Sequence, residues 1–108
     1  MTFCDSSFGG FVAGEMNSIS SEGSSIVGGW RNIADAQASV VLGGEFNIAS
    51  GNLATVSGGE NNYSRAVASS ITGGLSNICD GNFAIIIGGP NLSLTNNLAI
   101  VPQPPFPQ

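Results

Sequence analysis

Gly-Gly pairs stand at 28–29, 43–44, 58–59, 73–74 and 88–89, a spacing of fifteen without insertion, and Ala13-Gly14 extends the series back by one. A period this short excludes most folds. Helical-hairpin repeats need more than thirty residues per unit. Two glycines per period would also cost a helix ~1 kcal/mol each relative to alanine. Short strands separated by turns remain.

Reading every fifteenth residue turns the chain into columns. One is aliphatic or aromatic: Phe11, Ile26, Val41, Val56, Ile71, Ile86 and Val101. A second is Asn17, Asn32, Asn47, Asn62 and Asn77. A third is mostly small, with Ala34, Ala49, Ser64 and Cys79 between the larger Ile19 and Leu94. A fourth holds Ser24, Ser39, Ala54, Ser69, Ala84 and Ala99. Within Ala54-Thr55-Val56-Ser57, strand alternation puts Ala54 and Val56 on one face and Thr55 and Ser57 on the other. In-phase columns then stack at the ~4.8 Å spacing of a parallel ladder. The expected fold is all-β, a parallel β-solenoid of fifteen-residue rungs. Six rungs occupy residues 11–101, a rod on the order of 30 Å long at that spacing. Residues 1–10 read as a partial N-terminal rung or cap. Residues 102–108, PQPPFPQ, form a Pro-rich tail that cannot continue the ladder, because proline has no N–H to donate.

The Asn column admits a sugar- or ion-contacting reading. The structural one is stronger: stacked identical amides hydrogen-bond one another and the turn backbone. Both glycines of each pair read as turn residues that supply positive φ and let successive turns approach closely. No G-x-G-x-x-G or G-K-[ST] pattern accompanies them, so a phosphate loop is not expected.

Charged residues are only 8% of the chain, and Gly 16, Ser 15 and Asn 11 would suit disorder, but 42% hydrophobic residues in strict register argue for an ordered chain. There is no His and no Lys. A Ser-His or Cys-His nucleophile, a Schiff-base lysine and a His-based metal site are thereby excluded. We expect no enzyme and no cofactor. Glu15, Glu45 and Glu60 share a column and read as a solvated edge rather than a glycosidase pair. Asp35 and Asp80 share another, three rungs apart, too sparse for a calcium ladder. A net charge of −5 with two arginines disfavours nucleic acid and anionic membrane surfaces. No apolar run approaches the ~20 residues needed to cross a bilayer. MTFCDSSFGG has neither the basic nor the apolar region of a secretory signal.

The string from Gly44 to Gly59, with Asn47, Ala49, Gly51 and Ala54-Thr55-Val56-Ser57-Gly58, resembles the repeat of trimeric autotransporter adhesin heads. That family has S-V-A-I-G rungs followed by G-x-x-A-x-A-x-G. Similar solenoid trimers occur in phage and virus fibres. The resemblance covers about residues 11–101 and implies a left-handed parallel β-roll assembled as a homotrimer. It places Val40, Leu42, Thr55, Ser57, Ser70, Thr72, Ile85 and Ile87 at the trimer interface, with Ser25, Val27, Ile100 and Pro102 in the same columns. Ser and Thr stand in the two central rungs where the family has aliphatics, and the period is fifteen rather than fourteen.

An oligomer is also expected from the residues alone. Val40, Leu42, Ile85, Ile87 and Ile100 point outward, and so does a column of Ile33, Ile48, Tyr63 and Ile78. Soluble monomers rarely expose apolar stripes of that length. Phe3, Cys4 and Phe8 continue the repeat phase and are assigned to end-to-end contact between molecules. Cys4 and Cys79 lie five rungs or ~24 Å apart, beyond disulfide reach. Trp30 and Arg31 share a turn with Phe46 one rung on, a patch suited to packing between subunits or to a carbohydrate or protein partner.

The function expected is a structural or adhesive module of a surface appendage or virion fibre, acting by rigid trimeric display. A self-polymerising filament subunit is the alternative. An ice-binding solenoid is weaker, since Thr55 and Thr72 are diagonal and unrepeated. Partners expected are further copies of the chain and a host surface protein or glycan. The location expected is extracellular, at the cell surface, or on a virion.

Overall fold

The computed structural model describes residues 3–4 and 9–102. Those residues form a parallel β-solenoid of about six rungs and no helix. Its Cα extents are 43 × 22 × 14 Å. Every strand is two residues long, because turn residues interrupt the chain twice or more in each period. Sheet I has seven strands and runs from Phe3–Cys4 through Ser18–Ile19, Ile33–Ala34, Ile48–Ala49, Tyr63–Ser64 and Ile78–Cys79 to Ser93–Leu94. Sheet II, also of seven, runs from Phe11–Val12 through Ser25–Ile26, Val40–Val41, Thr55–Val56, Ser70–Ile71 and Ile85–Ile86 to Ile100–Val101. A third side is one residue wide, bridged in parallel through Glu15, Trp30, Glu45, Glu60, Leu75 and Pro90.

The core is a thin column between the two sheets. Ile26, Val41, Val56, Ile71 and Ile86 from sheet II are fully buried, and each faces a smaller partner such as Ala34, Ala49 or Cys79. Large against small keeps the coil narrow and filled. Burying one such aliphatic side chain contributes about 1.5–3 kcal/mol. Inward serines add polar atoms that must be satisfied. Ser24 donates to Ser21 O at 2.7 Å, Ser39 to Ala36 O at 2.7 Å, and the Ser64 and Ser69 hydroxyls pair at 2.6 Å. Among the described residues no buried side-chain N or O lacks a partner.

The register is fifteen residues except at the start. Val40 pairs with Thr55 and Ile33 with Ile48, but Phe11 pairs with Ser25 and Val12 with Ile26. Val12, not Phe11, therefore occupies the inward position, and Phe11 is 57% exposed. This corrects the expected apolar column. The cause is a turn one residue short. The Ala13 N–H bonds Ile26 O, as the Val27 N–H bonds Val41 O, while the Ala13 carbonyl also takes the Asn17 amide, as Gly28 takes that of Asn32. One residue does the work of two.

Each buried Asn closes the same three bonds. Asn47 Nδ2 donates to Gly43 O in its own turn and to Gly59 O in the next, both at 2.9 Å. Its Oδ1 accepts the main-chain N–H of Asn62 at 2.9 Å. The amides thus bond the backbone of adjacent rungs, not each other's side chains. The last rung has Leu92 in this column, whose N–H still bonds Asn77 Oδ1 at 2.8 Å. Pro90 in that rung brings no N–H to the bridged side, where Leu75 donates to Gly89 O at 3.1 Å.

The two glycines of a pair are not equivalent, which corrects their joint assignment to positive φ. Gly44 has φ +87°, and a Cβ there would lie 2.1 Å from Gly59 O. Gly43 has no positive φ, and a Cβ there would meet nothing within 4 Å. Apart from Gly9 and Gly23, the remaining left-handed corners carry residues other than glycine, among them Arg31 at φ 56°, Phe46 at 55° and Phe83 at 57°.

Candidate functional site

Two surfaces carry what chemistry the chain has. The first is the outward face of sheet II. Its strands are flat and two residues wide, so residues at both flanking positions of the inward aliphatic project together. Val40 is half-buried and Leu42 is 48% exposed, followed by Thr55, Ser57, Ser70 and Thr72, then Ile85 at 37% and Ile87 at 45%. All eight expected contact residues lie on this one face. Phe11, Val27 and Ile100 extend it, with Leu53, Phe83 and Leu98 exposed at the corners leading into it. Apolar ends flank a hydroxyl-bearing middle.

The second surface belongs to sheet I and its adjoining corner. Ile33, Ile48, Tyr63 and Ile78 point outward there, each half-buried. Beside them, Trp30 and Phe46 pack edge to face, with centroids 5.2 Å apart and planes at 80°. The Arg31 guanidinium lies over both rings, 4.8 Å from the Trp30 centroid and 5.9 Å from that of Phe46. Stacking follows from register: Trp30 sits on the bridged side, and the left-handed Arg31 and Phe46 share one column of the next corner. Met16, Ser18, Arg31, Ile33 and Phe46 line a shallow open depression of about 390 Å³.

Arg65 behaves differently. Its Nε donates to Asp80 Oδ1 at 2.7 Å, its Nη2 donates to Oδ2, and its guanidinium lies 5.1 Å from the Tyr63 ring centroid. The hydrogen bond from Arg65 holds the Asp80 carboxyl below the usual carboxylate range, against an opposing effect of burial. The pair was not anticipated from sequence, although opposite charges fifteen apart in one column were its signal. A second Asn ladder was also missed: the N–H of Gln37, Val67 and Asn82 donate to the side-chain oxygens of Asn52, Asn82 and Asn97 at an exposed corner.

Asp35 stands apart from Asp80, and Glu15, Glu45 and Glu60 are exposed along the bridged side. Among the described residues, no three His, Cys, Asp or Glu side chains gather around one point. No described helix is long and apolar enough to cross a membrane. Cys79 is a buried free thiol, raised in pKa chiefly by burial. The Phe3 and Cys4 backbone pairs with Ser18 and Ile19, which extends sheet I by a strand. Phe8, the side chains of Phe3 and Cys4, and Pro104, Pro105 and Pro107 lie outside the described residues. The chain matches no known family and no curated protein.

Proposed function

We propose that this chain is a structural or adhesive module of a surface appendage or virion fibre, working as a homotrimer of left-handed β-rolls similar to trimeric autotransporter heads. The single observation that carries the reading is the sheet II face. Phe11, Val27, Leu42, Ile87 and Ile100 are each 43–57% exposed on one side of a rod whose own core is thin and rich in small residues. Covering them against copies of the chain adds the burial that so thin a coil lacks. The mechanism is rigid display: three identical rods present the same shallow surfaces, and weak contacts add by avidity. Neither an enzyme nor a cofactor enters this reading, and the partners are further copies and a host surface protein or glycan. Sedimentation should give three times 10.9 kDa, about 33 kDa, with a formal charge of three times −5. A stable 10.9 kDa species at micromolar concentration overturns it.

A self-polymerising filament is the second reading, favoured by Phe3–Cys4 as the outermost described strand of sheet I, a place where strands of another chain could pair. It expects mass to grow with concentration past the trimer.

A further inference from the structure

Arg31 and Arg65 are the only cations in the sequence, and the structure treats them unequally. Arg65 has an aromatic ring beneath it and a carboxylate one rung away, and it forms a fork to Asp80. Arg31 has two aromatic rings beneath it, but its column offers Met16 before it and Phe46 after it. Among the described residues no carboxylate pairs with Arg31. Its guanidinium is exposed and lines the open depression beside apolar Met16 and Ile33 and the Ser18 hydroxyl.

The rings hold the guanidinium beside the depression without using its N–H groups as a carboxylate would, which leaves that fork available to an external planar anion. A carboxylate fits that fork. The rest of the site selects what carries the carboxylate. The depression is shallow, about 390 Å³, with an apolar wall that includes Phe46, against which Trp30 packs edge to face. Such a wall stacks against the C–H face of a sugar ring, and Ser18 supplies a hydroxyl for the ring's polar edge.

We propose that Arg31, Trp30, Phe46, Met16, Ile33 and Ser18 form a subsite for an acidic sugar residue, a hexuronate or similar carboxylate-bearing unit of a glycan. Arg31 binds the carboxylate, and the aromatic and aliphatic side chains hold the ring. The proposal rests on the display reading for its strength: a site this open binds one sugar weakly, and repetition on identical subunits supplies avidity.

Trp30 is the only tryptophan, so its fluorescence reports the site directly. The full chain is titrated with D-glucuronate, with D-glucose, which has the same ring without the carboxylate, and with the peptide Gly-Glu-Gly. We expect a saturable change with glucuronate at roughly millimolar concentration, the range of a weak single contact. Glucose should bind at least tenfold more weakly. Arg31→Gln should lose the glucuronate response while its far-UV spectrum is kept. Should Arg31→Gln not fold, the glucose comparison alone decides. Equal responses to glucose and glucuronate overturn the proposal. So does a response to Gly-Glu-Gly that matches or exceeds glucuronate, which assigns the site to an acidic protein segment, and so does no response to either. Sedimentation of the titrated sample separates the two ideas: a monomer that binds glucuronate keeps the site and removes the trimer, and a trimer that does not bind does the reverse.

Discussion

The side-chain oxygen of Asn47 accepts the main-chain N–H of Asn62, one rung later, at 2.9 Å. In the strands N–H groups donate toward the following rung, as from Ile48 to Asn62 O. At this corner the direction reverses, and Asn61 N–H reaches back to Glu45 O. The Asn62 N–H that follows finds no main-chain carbonyl, and the Asn47 amide fills the gap. Asn is the side chain that can accept there and donate to two glycine carbonyls at once.

Asn62→Ala removes Nδ2 bonds to Gly58 O and Gly74 O and leaves Asn77 N–H without its acceptor. We expect a stability loss of ~1–3 kcal/mol for buried groups left unpaired. Chemical unfolding at fixed protein concentration measures it, and an unchanged midpoint refutes the ladder's structural role.

Gly43→Ala and Gly44→Ala should part company. Alanine at Gly44 meets Gly59 O at 2.1 Å in a backbone at φ +87°, and we expect at least ~2 kcal/mol of destabilisation or no folding. Alanine at Gly43 enters open space at ordinary φ and should leave stability unchanged or raise it by up to ~1 kcal/mol, through the unfolded chain. Parallel unfolding curves decide, and equal losses at the two positions contradict the geometry.

Asp80→Asn should show a pH-dependent effect. Asp80 has a lowered pKa in the fold, mainly through its hydrogen bond to Arg65. The stability it contributes is fully present above the ordinary aspartate value of about 3.9 and disappears as pH falls through the lower folded value. The difference in melting temperature between wild type and Asp80→Asn should therefore be visible at neutral pH and close below the carboxylate range. Because the pair is largely exposed, the difference should be small and shrink in high salt. A gap that widens in acid contradicts this.

Cys79 should resist alkylation. Its thiol is fully buried, bonds Ala84 O at 3.4 Å and is raised in pKa, so little thiolate is present or reachable. Site-resolved mass spectrometry after iodoacetamide should find Cys79 unmodified in the native protein and labelled in denaturant. Rapid native labelling would show that the coil opens at that rung.

Leu42→Asp tests the sheet II face. A carboxylate at a 48% exposed position costs a lone rod little, but at a covered subunit contact it is buried without a partner. We expect the assembly to dissociate at micromolar concentration with the far-UV spectrum retained. A mass unchanged by the substitution moves the contact elsewhere.

Much of this architecture is legible in the spacing alone, since stacking in register forces equivalent residues into equivalent places. Ile71 and Thr72 could be assigned to opposite faces because strand alternation leaves no other choice. Besides the Arg65–Asp80 pair and the exposed Asn ladder, three features escape. The Val12-for-Phe11 exchange depends on one missing turn residue, and both candidates are apolar, so the column looked intact. The left-handed corners at Arg31, Phe46 and Leu53 have no residue signature, because the ladder imposes a conformation that these side chains do not prefer. The roles of Gly43 and Gly44 differ by which carbonyl passes overhead, a relation between rungs that one rung's sequence does not contain.

Leu92 and Pro90 make the last described rung unlike those before it. Each earlier rung hands the next an amide oxygen, but Leu92 hands on nothing, and Pro90 has no hydrogen to offer on the bridged side. On this side, length is therefore adjustable only before that rung. A duplicated fifteen-residue unit spliced before Pro90 inherits every donor and acceptor of the rungs around it. The same unit grafted after Val101 would begin on a step that lacks the amide, with its own asparagine N–H left to water. Tandem duplication can lengthen such a rod from within but not from this tip.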